Sequence, residues 1–321
     1  MPDFESKTLG QYAQKLKKLR LGVTPYGKAP HKPVFLLTQI EQVEKGRVSD
    51  NKFFITPEFV ADFKENFALL VKTGHKSDFI QPFYYLQSSD GFWNIQTRPG
   101  EVLDTFVRSF SLLNEKVEYG FFAPEFFALL ADPNSRLFLQ NLLLDSYFSD
   151  EKADFLVKKL GGSDAEAILE KFLLNESNTL PTIFEHPETD QDVAFVRGGL
   201  FKKLVPQVYN HTCAITGMRL ISNFGFSMID ACHVVPFRVS GDDRVTNGIA
   251  LCPNLHRAFD RGLISVGNDY KILVSRHFAE DEANPYSIKF LAEKPIALPF
   301  GDIHFPEKAN FKWHRENIFK G

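Results

Sequence analysis

Apolar residues recur at helical spacing along the first half of the chain, and prolines or small polar residues announce most of the runs. Residues 4 to 20 set Tyr12, Leu16 and Leu19 on one face, with Lys15, Lys17, Lys18 and Arg20 between them, which predicts a basic amphipathic helix. A loop dense in Pro, Gly and basic residues, Gly22 to Pro33, leads into an apolar helix over Val34 to Val43 with Pro33 in its first turn. Thr56 and Pro57 mark the cap and first position of another helix, which buries Phe59, Phe63 and Phe67. Phe53-Phe54-Ile55 suggests a short strand. Phe79 to Ile95 reads as two strands joined by a turn at Ser88-Ser89-Asp90-Gly91. Residues 101 to 150 read as helical, broken by a turn and cap at Asp132-Pro133-Asn134-Ser135.

The second half is patterned differently. Gly161-Gly162-Ser163-Asp164 and Asn175-Glu176-Ser177-Asn178-Thr179 make residues 151–190 a helical spacer and exposed linker. Residues 193 to 210 read as a helix carrying Arg197, Lys202 and Lys203. Met228 to Val266 then reads as strand, polar loop and helix. His233 stands at the first strand's end, Asn247 after the loop and His256 in the first helical turn. Pro253 suits the helix start, and Gly262 suits its end. Tyr270 to Val274 is a further strand. The chain is thus read as α+β, with units at 1–150 and 191–321 joined by 151–190.

Composition narrows the picture. A length of 321 residues allows two domains. The net charge of −3 does not advertise a nucleic-acid binder, so DNA contact has to rest on local basic patches. Three cysteines cannot pair fully and point to a reducing compartment. No apolar run approaches the ~18 residues of a membrane span, and no signal-peptide pattern opens the chain, so the expected location is the cytoplasm, with no membrane partner.

His233, Asn247 and His256 carry the chemistry. The stretch around them resembles the HNH family of ββα-metal endonucleases, in particular its modification-dependent restriction branch. The resemblance rests on Cys213-Ala214-Ile215-Thr216-Gly217 and on the block from Asn247 through Leu255-His256-Arg257-Ala258-Phe259-Asp260 to Leu263. It implies that His233 is the general base, that His256 is a metal ligand, and that Asn247 pins the loop and orients His233. Phosphodiester hydrolysis suits such a set, because a neutral imidazole can activate water while one Mg²⁺ or Mn²⁺ clamps the phosphate. The usual carboxylate ligand just before the base is here Cys232. Asp230 shares a strand side with Cys232 and is the expected ligand, with Cys232 as packing. Asp260, one turn after His256, is a second ligand, an orienting partner or an acid fixing the helix end. Relatives with a structural zinc use two Cys-x-x-Cys pairs. Here Thr216 and Leu255 replace the partners of Cys213 and Cys252, which argues against zinc.

The first unit carries a second resemblance. His31-Lys32-Pro33 before an apolar helix, with Pro82-Phe83-Tyr84-Tyr85-Leu86-Gln87 and Asp90-Gly91-Phe92-Trp93 after it, resembles the DNA sulfur-binding domain of enzymes that recognise phosphorothioate DNA. That family implies an apolar sulfur cavity built on a Tyr-Pro pair and a small residue three positions on. Here those places hold Gln81, Pro82 and Tyr85. His31 and Lys32 are expected at the DNA backbone, where a helix start attracts phosphate. Arg197, Lys202 and Lys203 are expected at phosphate, and the tail Trp313-His314-Arg315 also resembles the nuclease family, with Trp313 as its anchor and His314 and Arg315 expected to face phosphate. Together these readings imply a metal-dependent restriction endonuclease acting on modified double-stranded DNA, as a homodimer if both strands are cut. The alternatives are an HNH nuclease reading another modification or DNA shape, and a non-catalytic DNA-binding protein with a decayed HNH fold.

Overall fold

The computed structural model describes the chain apart from residues 1, 89–90, 163, 224–226 and 281–285 and the side chains of 2–6. It divides into two compact units, Met1–Glu166 with Pro181–Val196, and Ala167–Leu180 with Arg197–Gly321. Each combines helices with small antiparallel sheets, which is the α+β class expected.

The first unit opens with α1 (Pro2–Lys17) and a short hairpin, β1 (Val23–Thr24) with β2 (Gly27–Lys28). Next come α2 (His31–Glu44) and α3 (Pro57–Leu70). Thr56 caps α3 by accepting from the Phe59 N–H at 3.2 Å, and Pro57 fills the first turn, as predicted. The unit continues through α4 (Ile80–Tyr85), β3 (Trp93–Thr97), α5 (Phe110–Lys116) and β4 (Val117–Phe122). It is completed by α6 (Pro124–Ala131), α7 (Pro133–Tyr147) and α8 (Lys152–Leu160). β3 and β4 pair antiparallel, with Trp93 opposite Phe122. Phe35, Phe53, Phe59, Phe79, Phe83 and Trp93 form the buried centre, and most of their rings meet edge to face, as the ring quadrupole favours.

Four expectations are corrected here. Residues 79–85 are helical rather than extended. Phe79, Phe83 and Leu86 are all buried at i, i+4 and i+7, and Asp78 accepts from the Gln81 N–H at 3.1 Å. The dense aromatic run had hidden that period. Of the expected turn at 88–91, Ser89 and Asp90 lie outside the described residues. Phe53 makes a single bridge to Gly120 instead of a strand. Residues 101–109 hold no helix, and Val117–Phe122 is β4, because its backbone pairs with β3. The segment read as spacer divides between the units: α8 belongs to the first, and the division falls inside α9 (Ala165–Leu173) and α10 (Gln191–Val208). Ser163, in the expected glycine-rich turn, is outside the described residues.

In the second unit β5 (Asp230–His233) pairs antiparallel with β6 (Gly248–Leu251), setting Asp230 opposite Leu251 and His233 opposite Gly248. The connection carries α11 (Phe237–Ser240). α12 (Pro253–Asp260) follows β6 with Pro253 in its first turn, so strand, strand and helix succeed one another as the motif implied. β7 (Ile264–Val266) and β8 (Ile272–Val274) make another hairpin, and α13 (Lys308–Asn317) packs on β7.

Gly262 ends α12 at φ +73°, and a Cβ there would stand 2.1 Å from the Ile318 carbonyl oxygen. A side chain therefore meets two obstacles, a left-handed backbone and a neighbouring main chain. Gly262→Ala is expected to destabilise this unit by at least about 1–3 kcal/mol, the range for the backbone conformation alone. The measurement is the urea midpoint of unfolding; a wild-type midpoint would refute the account.

Candidate active site and DNA-reading cavity

Strand alternation puts Asp230 and Cys232 on one side of β5 and His233 on the other. α12 adds His256 and Asp260, one turn apart on one face. His256 lies between two carboxylates: Nδ1 is 3.2 Å from Asp230 Oδ2, and Nε2 is 3.5 Å from Asp260 Oδ2. The Cys232 thiol donates to Asp260 Oδ1 at 3.7 Å. The donor atoms of Cys232, His256 and Asp260 lie within 4.8 Å of one another.

These residues fit a divalent ion. An imidazole binds metal through one lone pair, and its other nitrogen then carries a proton that needs an acceptor. A carboxylate at each ring nitrogen supplies both a co-ligand and that acceptor. Carboxylate oxygens suit Mg²⁺ or Mn²⁺, and the imidazole nitrogen also suits a transition metal such as Zn²⁺ or Ni²⁺. Cys232 differs: burial first, then the Asp260 charge, hold its thiol well above its ordinary range. It stands as a hydrogen-bond donor to Asp260, a contact that its reading as packing alone had missed.

His233 is half-buried, and its ring lies flat on Phe201 of α10, with centroids 3.7 Å apart and planes 7° apart. Its Nε2 is buried with no hydrogen-bond partner among the described residues. Burial lowers its pKa to about 4; Asp242 opposes the shift, and the His256 and Lys202 charges add to it. The ring is therefore neutral near pH 7 and able to take a proton.

Asn247 is fully buried and pins the loop, but its amide does not touch His233. Its Oδ1 accepts from the Val235 N–H at 2.9 Å, and its Nδ2 donates to the carbonyls of Val235 and Asp242, each at 2.9 Å. Its own carbonyl accepts from the Val234 N–H. The residue orients His233 only by fixing the backbone that follows it.

Two basic residues are corrected. Arg197 does not face phosphate: it is buried, and its guanidinium grips Asp243 through two 2.7 Å bonds. A buried carboxylate requires that partner, and the pair ties the β5–β6 connection to α10. His314 is also buried, accepting from Ser265 Oγ at 2.9 Å and donating to the Phe259 carbonyl at 3.1 Å. It braces α12 from behind. Lys202 is exposed, and Lys203 is exposed with its ammonium 2.9 Å from Glu170.

In the first unit the expected DNA contacts come together. His31 and Lys32 at the start of α2, and Gln81, Pro82 and Tyr85 of α4, line one cavity of about 370 Å³ with Arg20, Leu21 and Ala29. The cavity is open with Tyr85 in place, whose ring stacks on Phe106 at 5.1 Å. Gln81 donates one amide N–H to Asp78 at 2.7 Å, which leaves its carbonyl oxygen and its other N–H for a ligand. His31 donates Nε2–H to the Lys76 carbonyl at 2.9 Å, and burial lowers its pKa. Burial and then the nearby Arg20 lower that of Lys32. Arg20 was not foreseen as part of this wall, nor Asp78 as the residue that holds Gln81; only the basic run at 15–20 hinted at Arg20.

Comparison with known families now bears on both sites. Residues 213–267 match the HNH endonuclease family, and residues 10–165 match the ScoMcrA-like DNA sulfur-binding domain. The chain carries a DNA sulfur-binding domain and an HNH endonuclease domain. The HNH segment contains His233, Asn247 and His256, and the sulfur-binding segment contains every expected cavity residue. No curated protein matches. Among solved structures, a modification-dependent TagI restriction endonuclease is similar at 22% identity and TM-score 0.31, over 38% of this chain. The chain spans 39% of that protein's length. The Type IV phosphorothioation-dependent restriction endonuclease ScoMcrA is similar at 13% identity and TM-score 0.35, over 77% of this chain and 94% of that one. Both TM-scores are too low to establish a shared overall fold.

Two outcomes are expected. The buried His314 ring has its pKa lowered to about 4 by burial. The unfolded chain therefore binds more protons between the unfolded value, about 6.5, and 4. The contribution is present above that window and lost as pH falls through it. Stability of the second unit should drop by about 3 kcal/mol from this histidine alone, at 1.36 kcal/mol per pKa unit. His314→Gln, measured by chemical denaturation at several pH values, should flatten that slope; an unaltered slope refutes the assignment. For the HNH centre, Asp230→Asn and Asp260→Asn should each weaken Mn²⁺ binding by about tenfold or more, while Cys232→Ser should change it little. Calorimetric titration showing the reverse order would move the thiol into the ligand set.

Proposed function

We propose that the protein is a divalent-metal endonuclease that cuts modified double-stranded DNA, with its first unit reading the modification. The observation that carries the reading is His256 held between Asp230 and Asp260 beside the strand that ends in His233. A divalent ion bound by these residues would stabilise charge on the scissile phosphate and on the leaving oxygen. His233, neutral near pH 7, takes a proton from the attacking water. Water adds to phosphorus as the 3′ oxygen leaves, giving a 3′-hydroxyl and a 5′-phosphate by analogy with the HNH family. Asn247 and the Arg197–Asp243 pair keep the β5–β6 connection fixed while this happens. One centre cuts one strand, so double-strand cleavage calls for two copies of the chain or two binding events.

The first unit's cavity is the reader in this proposal. Arg20 and Lys32 supply positive charge at its edge, and Leu21, Ala29 and Pro82 supply an apolar wall. Sulfur is more weakly hydrated than oxygen, so such a wall favours phosphorothioate over phosphate by desolvation. A second reading is favoured by Gln81: its carbonyl edge beside Asp78 suits a hydrogen-bond donor better than an anion, which fits a different modification.

The test uses the full chain. Plasmids from phosphorothioating and non-modifying hosts are incubated with Mg²⁺, Mn²⁺ or EDTA. Cleavage of the modified plasmid alone, abolished by EDTA, is expected. Cleavage that survives EDTA would overturn the metal reading. In a titration at fixed salt, a single phosphorothioate should tighten binding by about 1–3 kcal/mol. Equal affinity for modified and plain duplexes would remove the sulfur reading and leave the nuclease reading standing.

A further inference from the structure

A general-base histidine needs its ring fixed, and the usual device is a hydrogen bond on the nitrogen that does not take the proton. Among the described residues His233 has no such bond. Its Nε2 is buried without a partner among the described residues, and Asn247, the residue expected to orient it, spends its amide on Val235 and Asp242. What holds the ring is an aromatic face. Phe201 lies parallel to it at 3.7 Å, closer than any other aromatic contact described in the chain. Phe237 is 6.1 Å away and tilted by 52°, too far and too inclined to restrain it.

The surroundings are built to keep Phe201 there. It is 1% exposed. Gly248, directly opposite His233 in the β5–β6 pair, lies so close to α10 that a Cβ would stand 2.5 Å from Val205 Cγ2 and 3.1 Å from the Phe201 ring. The absence of a side chain at Gly248 lets the hairpin settle onto α10, and that brings the imidazole onto the phenyl face. With Nε2 on the buried side, Nδ1 is the nitrogen left for water.

We infer that Phe201 is a positioning residue for cleavage, setting the plane of the His233 ring by stacking. This rests on the reading of His233 as the general base. It adds that the orienting group is an aromatic side chain of α10 rather than a hydrogen-bond acceptor.

The test compares the full-length wild type with Phe201→Leu, Phe201→Tyr and His233→Ala, on one DNA substrate with Mg²⁺ present. Phe201→Leu keeps an apolar side chain on the helix but removes the flat face. Its single-turnover cleavage rate should fall about ten- to a hundredfold, the scale for a small misplacement of a reacting group, while KM stays near wild type. Phe201→Tyr keeps the face and should restore most of the rate. In protein with ¹³C-labelled histidine, the ring-current shift on the His233 ring protons should vanish in Phe201→Leu and persist in Phe201→Tyr. A wild-type rate in Phe201→Leu, with His233→Ala inactive, would overturn the inference and leave the base assignment intact. An active His233→Ala would remove the base assignment itself. If Phe201→Leu lowers the rate but keeps the ring-current shift, or Phe201→Tyr fails to rescue while folding normally, the stacking explanation is also wrong.

Discussion

The second unit depends on how the connection between β5 and β6 is closed. That connection spans residues 234–247 and must return the chain so that His233 faces Gly248. A loop of this length does not hold its ends in register by itself. Two buried polar devices do so. Asn247, the loop's last residue, clasps Val235 near its start and Asp242 in its middle. Arg197 reaches from α10 to Asp243 with a bidentate bond. Removing one partner of either device strands a buried polar group, which is more damaging than the bond's net contribution suggests. The register that places Asp230 across from α12 follows from this closure.

Three histidines show how one side chain is tuned by its surroundings. His233 is pressed against Phe201, lacks a partner for Nε2, and is kept neutral by burial. His256 stands half-exposed with a carboxylate at each nitrogen, a setting for a cation. His314 is buried with both nitrogens satisfied, so it is structural. The sequence presents all three as the same residue near basic or apolar neighbours. Only the partners of each ring nitrogen separate the proposed base, the proposed ligand and the brace.

This explains what was legible in the chain. The spacing of His233, Asn247 and His256 could be read because a strand, a loop closure and a helix turn impose fixed separations. Thr56-Pro57 and Pro253 announced helix starts because capping and the lost proline N–H act locally. Strand alternation put Asp230 on the Cys232 side of β5, and the structure sets its carboxylate 3.2 Å from His256 Nδ1. Most of the misses were long-range. Val117–Phe122 becomes a strand because β3 lies beside it, and nothing within six residues says so. Phe79–Tyr85 looked extended because aromatic residues fill both patterns, and Asp78 as a cap was overlooked. Arg197 looked like a phosphate contact because its partner Asp243 is 46 positions away.

The cavity of the first unit raises a different issue, the effect of one amide's orientation. Asp78 can only accept while ionised, so the Gln81 group that faces it at 2.7 Å must be the NH₂. The backbone N–H of Gln81 is drawn to the same carboxylate, which fixes the side chain at two points. The oxygen of the amide and its second N–H are then the groups left for a ligand. An oxygen beside a carboxylate repels an anion, whereas the guanidinium of Arg20 and the ammonium of Lys32 attract one. The wall therefore has two electrostatic halves. A phosphodiester lying across it would turn its charged atoms toward Arg20 and Lys32 and its neutral, donor-bearing parts toward Gln81. Substituting Tyr for Gln81 would replace the acceptor edge with an aromatic face while leaving Asp78 free to bond the Gln81 backbone position. The Asp78–Gln81 pair thus sets polarity on one side of the cavity without altering the charge on the other, so a ligand's polarity and its charge would be read on different sides.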